Sequence, residues 1–262
     1  MNALLQNLPN YVNVYLFVLV RVTSLFIVSP IFDRRNMPIM IKLGFGLLIS
    51  FIIIPTIDMN TIKQYDNIFE ILTVVLNEFM VGLILGFISY MAFQAIYIAG
   101  QIIDMQIGFS MVNTLDPQSN IQMPITATFF NILAMLIFLA LNGHHMLISA
   151  VFYSYKILPI GSATLGNALV TDVVRMFSDM FVIGFKIAGP IMAAIFITDL
   201  ALGILSKTVP QMNVFVVGMP IKILIGFVVL IAMLPVFVTI MEVVLDGMYG
   251  DLEKVIKGMV LK

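Results

Sequence analysis

Six stretches of this chain are too long and too apolar to belong to the interior of a soluble domain. They are Tyr11–Phe32, Ile39–Ile57, Ile71–Ile103, Pro124–Leu158, Val173–Leu205 and Val214–Leu245. A helix needs about 20 mostly apolar residues to cross a bilayer. The first two runs match that length. The other four exceed it, so they must tilt, bend or consist of two joined helices. Asn142-Gly143 interrupts the fourth run, Pro190 lies inside the fifth and Pro235 inside the sixth. A proline removes a backbone hydrogen bond and crowds the preceding turn, so breaks are expected there. The sequence therefore predicts an all-α integral membrane protein of long, broken helical hairpins.

Composition supports that class and excludes others. Hydrophobic residues make up 61% of the 262 positions and charged residues 10%, against about 25% charged in a soluble domain. A soluble domain of this size would leave much of that apolar surface in water. Disorder is excluded by the same hydrophobicity. With 13 basic and 14 acidic residues, there is no cationic excess to neutralise phosphates, and no nucleic-acid partner is expected. Cysteine is absent, which removes disulfides, thiolate metal sites and cysteine nucleophiles. No GxSxG, HExxH, Walker A or GxGxxG motif occurs, so neither an enzyme nor a bound cofactor is expected. His144-His145 point about 100° apart on a helix and have no third ligand at a usual spacing, so no metal is expected there. Met1–Asn13 has no basic n-region, and the apolar run after it outlasts a signal peptide's core.

Between the runs, polar punctuation is sparse. Charged or polar turns are expected at 33–38, 58–67, 159–167 and 207–213, and Asp246–Lys262 reads as an exposed terminal helix. If each run crosses once, Arg34, Arg35, Lys42 and Lys207 fall on one side and Lys63, Lys156, Lys254, Lys257 and Lys262 on the other, four against five, which sets no orientation. Either the chain is simply poor in charge, or its runs do not all cross a bilayer.

Arg21, Lys42, Glu78, Lys186, Asp199, Lys222 and Glu242 fall inside or at the edge of apolar runs. Each would cost about 2.5–3.5 kcal/mol at a helix centre facing lipid. Pairing between helices or subunits is the favoured expectation, an ion pathway the alternative. Lys42 is close enough to its run's end to snorkel. Lys186 and Asp199 flank Pro190, which predicts a polar pocket at a broken helix. Such a pocket would suit an ion-coupled secondary transporter. Gly100, Asp104 and Gly108 share one helix face at spacing four, and Gly82 and Gly86 form a GxxxG pair, so both sets point to close helix packing. Twenty methionines are present. Met105, Met111 and Met123 bracket the polar stretch Gly108–Pro124, where an adaptable side chain could seal against a changing surface.

Three segments in order carry a resemblance. Gly100-Gln-Ile-Ile-Asp104-Met-Gln-Ile-Gly108-Phe is followed by Asp116-Pro117 and Met123-Pro124. Asn142-Gly143-His144 leads into Leu158-Pro159-Ile-Gly161. Asp199-Leu-Ala-Leu-Gly203 is followed by Pro210-Gln211-Met-Asn213-Val-Phe215 and Gly218-Met-Pro220-Ile-Lys222. From about residue 11 to about residue 247 the chain resembles the FliR family, which includes the SctT subunits of virulence type III secretion systems.

That resemblance implies a non-catalytic export-gate subunit at the flagellar basal body in the bacterial inner membrane. It implies assembly with FliP-like and FliQ-like subunits and work alongside FlhB- and FlhA-like components, with unfolded proteins as cargo and membrane lipid around the complex. A FliP-like part over 1–172 would be followed by a FliQ-like helical hairpin and the exposed C-terminal helix over 173–262. The resemblance also implies a pore plug made of Phe109, Ser110, Met111, Val112, Asn113, Thr114, Leu115, Asp116, Pro117, Gln118, Ser119, Asn120, Ile121, Gln122 and Met123. Packing and assembly would then rest on Gly100, Asp104, Gly108, Lys186, Asp199, Gly203, Pro210, Gln211, Pro220 and Lys222.

Overall fold

A computed structural model of the chain describes residues 2–30, 32, 38–57, 67–109, 124–164, 166–211 and 213–260, which contain helices and turns and no strand. The helices are α1 (Asn2–Val28), α2 (Ile39–Ile53), α3 (Ile68–Ile107), α4 (Ile125–Ala140), α5 (Gly143–Ile157), α6 (Asn167–Thr208) and α7 (Val214–Gly258), with a 3-10 turn, Ile54–Thr56, after α2. Five of them are long and apolar enough to cross a membrane, or six spans if the bent pair α4–α5 counts as one. At 1.5 Å per residue, the 40 residues of α3 reach about 60 Å, twice the thickness of a bilayer core.

Local chemistry sets most boundaries. α1 ends before Pro30, and Pro38 precedes α2 in an extended conformation, both consistent with proline's restricted backbone. Asn67 caps α3, its side-chain oxygen accepting the Phe69 N–H at 3.2 Å. Asn142, with φ of 58°, makes the left-handed step between α4 and α5. The fourth apolar run is thus broken where its Asn-Gly pair predicts.

The fifth and sixth runs are not. α6 continues as one helix through Pro190, and α7 continues through Pro220 and Pro235. Nor does 246–258 form a separate, exposed helix. It is the last part of α7, and Met248, Leu252, Val255 and Ile256 are buried, as is Met259 just after it. The apolar residues of that tail recur every three or four positions among its charges, so it keeps one dry face.

The chain forms two compact units, neither of them one continuous segment. The first comprises 1–91, 142–176 and 246–262; the second comprises 92–141 and 177–245. In the first, Val14, Phe17, Val18, Val22 and Leu25 line one side of α1. Gly82 and Gly86 bring α3 against that helix. A Cβ at Gly82 would overlap the Arg21 carbonyl and the Ser24 hydroxyl, and one at Gly86 would sit 2.8 Å from the Leu25 carbonyl oxygen. The GxxxG pair is therefore a backbone contact surface. The Met259 carbonyl accepts hydrogen bonds at 3.0 Å from both the Thr164 N–H and its hydroxyl, which ties the end of α7 into this unit.

In the second unit, Ala95, Ile96, Ala99 and Ile103 of α3 are buried with Ala127, Phe130 and Ala134 of α4. Phe130 stacks on Phe237 of α7 with ring centroids 4.8 Å apart. Gly226 leaves room for the Ile107 side chain. Large apolar residues also cover the outside of α6 and α7, among them Phe196, Ile197, Leu224 and Ile231. Surfaces of that kind face lipid or another chain.

Candidate functional site

Three polar arrangements interrupt the apolar helices. The one nearest the Gly108–Pro124 segment begins where α3 stops. Gly108 has a φ of +99°, open to glycine and strained for other residues, and it turns the chain off the end of α3. Sixteen residues on, Pro124 occupies the N-cap position of α4 without a side-chain hydrogen bond. The first N–H groups of a helix have no intrahelical partner, and proline offers no oxygen to cap them.

Asp104 does so from the neighbouring helix. Its carboxylate accepts the Thr126 N–H at 2.9 and 3.1 Å and the Ala127 N–H at 3.2 Å. The side chain is buried, and its negative charge lies at the positive end of the α4 dipole. One turn earlier, a Cβ on Gly100 would overlap the Ala127 backbone. Gly100 and Asp104 thus seat the first turn of α4 on the last turns of α3. Of the expected plug residues, Phe109 is described, its ring 6.0 Å from that of Phe227; Ser110–Met123 lie outside the described residues. Met105 is 71% exposed beside this clamp.

The second arrangement is a buried ion pair in the first unit. The Arg21 Nε donates to one Glu78 carboxylate oxygen at 2.6 Å and its Nη2 to the other at 3.0 Å. Neither side chain is exposed. The remaining donors reach the Ser154 hydroxyl at 2.9 Å and the Leu158 carbonyl at 3.4 and 3.5 Å. Glu78 also accepts the Gly161 N–H at 2.9 Å and the Tyr155 hydroxyl at 3.4 Å. The guanidinium lies 3.8 Å from the centre of the Tyr155 ring, a cation–π contact. The ion pair and the hydrogen bonds around it offset part of the cost of burying both groups. The sequence marks Arg21 and Glu78 individually, but their partnership and the role of the 158–161 turn depend on tertiary register.

The third arrangement joins Asp199 of α6 to Lys222 of α7 at 2.5 Å, with both side chains part-exposed. Asp199 is therefore not matched with Lys186. Thirteen positions along one helix separate those two by about 20 Å, and the helix is continuous through Pro190. Gly203, Pro210, Gln211 and Pro220 are exposed on α6, α7 and the turn between them. The Nδ1 of His144 is buried without a hydrogen-bond partner among the described residues. No cluster of three or more His, Cys, Asp or Glu suited to a metal occurs among the described residues.

These sites hold helices in register; none aligns a nucleophile with a base. The decisive comparison is with known families. Residues 12–248 match the family described as bacterial export proteins, family 1. The chain belongs to that family. Among its relatives, the flagellar biosynthetic protein FliR of Bacillus subtilis (strain 168) is 36% identical over 245 residues, covering 92% of each chain. FliR of Escherichia coli (strain K12) is 31% identical over 252 residues, 96% of each chain. That of Aquifex aeolicus (strain VF5) is 31% identical over 222 residues, 85% of each. The expected membership of the FliR family is thereby met, and the bacterial export family's match spans both compact units.

Proposed function

We propose that the chain is a non-catalytic subunit of the flagellar protein export gate in the bacterial inner membrane, at the basal body. In this reading it assembles with FliP-like and FliQ-like subunits, works with FlhA- and FlhB-like components, and helps line the channel for unfolded flagellar proteins. Residues 1–172 supply the FliP-like part and 173–262 the FliQ-like part. The segment 108–124 is the pore plug.

The observation that carries the reading is the Asp104 clamp. It joins the two ends of a polar segment inside an otherwise apolar protein. Polar side chains are tolerated at membrane depth only where protein or a water-filled cavity surrounds them. A tethered polar segment rich in Asn, Gln and Ser fits a protein-lined pore. A secondary transporter built on Lys186 and Asp199 is the less favoured reading, because Asp199 is engaged by Lys222.

The test is deletion within Ser110–Asn120 in the assembled complex. Assembly is expected to persist while ion conductance rises, measured in membranes holding equal amounts of variant and parent complex. Unchanged conductance through a pore shown to be otherwise open would refute the plug assignment.

A further inference from the structure

One side of α6 in the second unit carries a lone cation on an apolar seam. Val182, Lys186, Gly189, Ala193, Phe196 and Leu200 alternate at spacings of four and three, the period that keeps residues on one helix side. Val182, Phe196 and Leu200 are 45%, 63% and 54% exposed, and Lys186 and Ala193 are exposed as well. A Cβ on Gly189 would meet nothing within 4 Å. The chain therefore leaves this strip of α6 uncovered.

Lys186 makes no ion pair among the described residues, although other charges share its unit. Asp199 is engaged by Lys222, and Asp104 by the first turn of α4. Asp179 stands two turns before Lys186 on α6 and has a contact of its own. Glu242 projects, exposed, from the far part of α7. A mid-helix ammonium on an apolar strip calls for an anion from outside the chain. Beside it, Gly189 and Ala193 allow a second helix to approach closely.

We propose that this strip is the docking surface for an apolar membrane helix of another export-apparatus chain, one carrying a carboxylate opposite Lys186. The inference rests on the reading that the chain works inside a multi-chain export complex. Van der Waals contact along the small-residue strip would supply proximity, and the ion pair would fix register.

The test places a photoreactive benzophenone side chain at Leu200 in the full chain, co-expressed with the other export-apparatus chains in native membranes. Illumination is expected to give an adduct with one of those chains, which peptide mapping locates on an apolar segment containing Asp or Glu. Lys186→Glu should lower adduct yield at least fivefold at equal chain level, while Lys186→Arg should keep it within twofold. Where Lys186→Glu fails to accumulate, Lys186→Gln is read instead, with at least a threefold loss expected. Adducts with lipid alone, adducts on a segment without a carboxylate, or a yield indifferent to Lys186 would each overturn the proposal. Failure of the parent chain to co-purify with any export chain would instead refute the broader reading.

Discussion

Removing either half of the Arg21–Glu78 pair should be among the most damaging single changes in the protein. Glu78→Ala leaves the guanidinium with the Ser154 hydroxyl, the Leu158 carbonyl and the Tyr155 ring face, none of them an anion, in a site where Arg21 is fully buried. Arg21→Met leaves Glu78 with the Gly161 N–H and the Tyr155 hydroxyl. Breaking a buried pair in this way costs about 3–5 kcal/mol, a factor of roughly 150–4000 in the folded-to-unfolded ratio at 1.4 kcal/mol per decade. The double variant Arg21→Met/Glu78→Leu removes both charges, and such replacements are often close to neutral. The double variant should therefore be more stable than either single one, with a coupling energy of several kcal/mol. The assay is denaturant-dependent protease resistance of the purified protein in detergent, at matched detergent-to-protein ratios. Single variants within about 1 kcal/mol of the parent, or a double variant as weak as the sum of its parts, would refute this account of the site.

Other expectations follow from the remaining contacts. Asp104→Ala should uncover the N–H groups of Thr126 and Ala127, costing about 1–3 kcal/mol, and amide exchange should accelerate at the start of α4 before it does elsewhere. Uniform acceleration across α3 and α4 would count against a local cap. Gly82→Ala should force α3 away from the α1 backbone and cost about 1–3 kcal/mol as an overpacking change; a melting temperature equal to that of the parent would contradict it. Asp199→Ala should reduce recovery of the multi-chain complex, with secretion falling in proportion, since it strips Lys222 of its partner. Normal assembly with export abolished would indicate a direct part in conduction instead.

Helix identity was legible because apolar runs of this length leave few alternatives, and several ends were legible because Pro38, Gly108, Pro124 and Asn142 each impose a specific backbone step. Continuity through Pro190 and Pro235 was not legible, because neighbouring helices and small backbone adjustments can absorb the lost hydrogen bond in membrane proteins. The buried face of 246–260 was masked by its charges; only the three-to-four spacing of Met248, Leu252, Val255 and Met259 signals it. Pairing was the least legible feature. Arg21 finds its anion 57 positions away, Asp104 caps a helix that starts some twenty positions further along the chain, and Asp199 chose Lys222 over the lysine on its own helix. In each case the charge was visible in sequence, while its partner depended on how the helices align.

The interleaving of the two compact units has a consequence for biosynthesis. Arg21 emerges well before Glu78, and at about 5–20 residues per second it waits roughly 3–11 s for its counter-ion. The wall that α7 contributes to the first unit arrives later still, because Leu252, Val255 and Met259 follow after the whole second unit has been translated. For most of its synthesis, then, the nascent chain exposes a half-built first-unit core, around a cation that at first lacks its counter-ion. A shielding insertion factor, or a partner already in place, would have the longest opportunity to act in that interval. A stalled or truncated product would keep this surface open and mark itself for proteolysis.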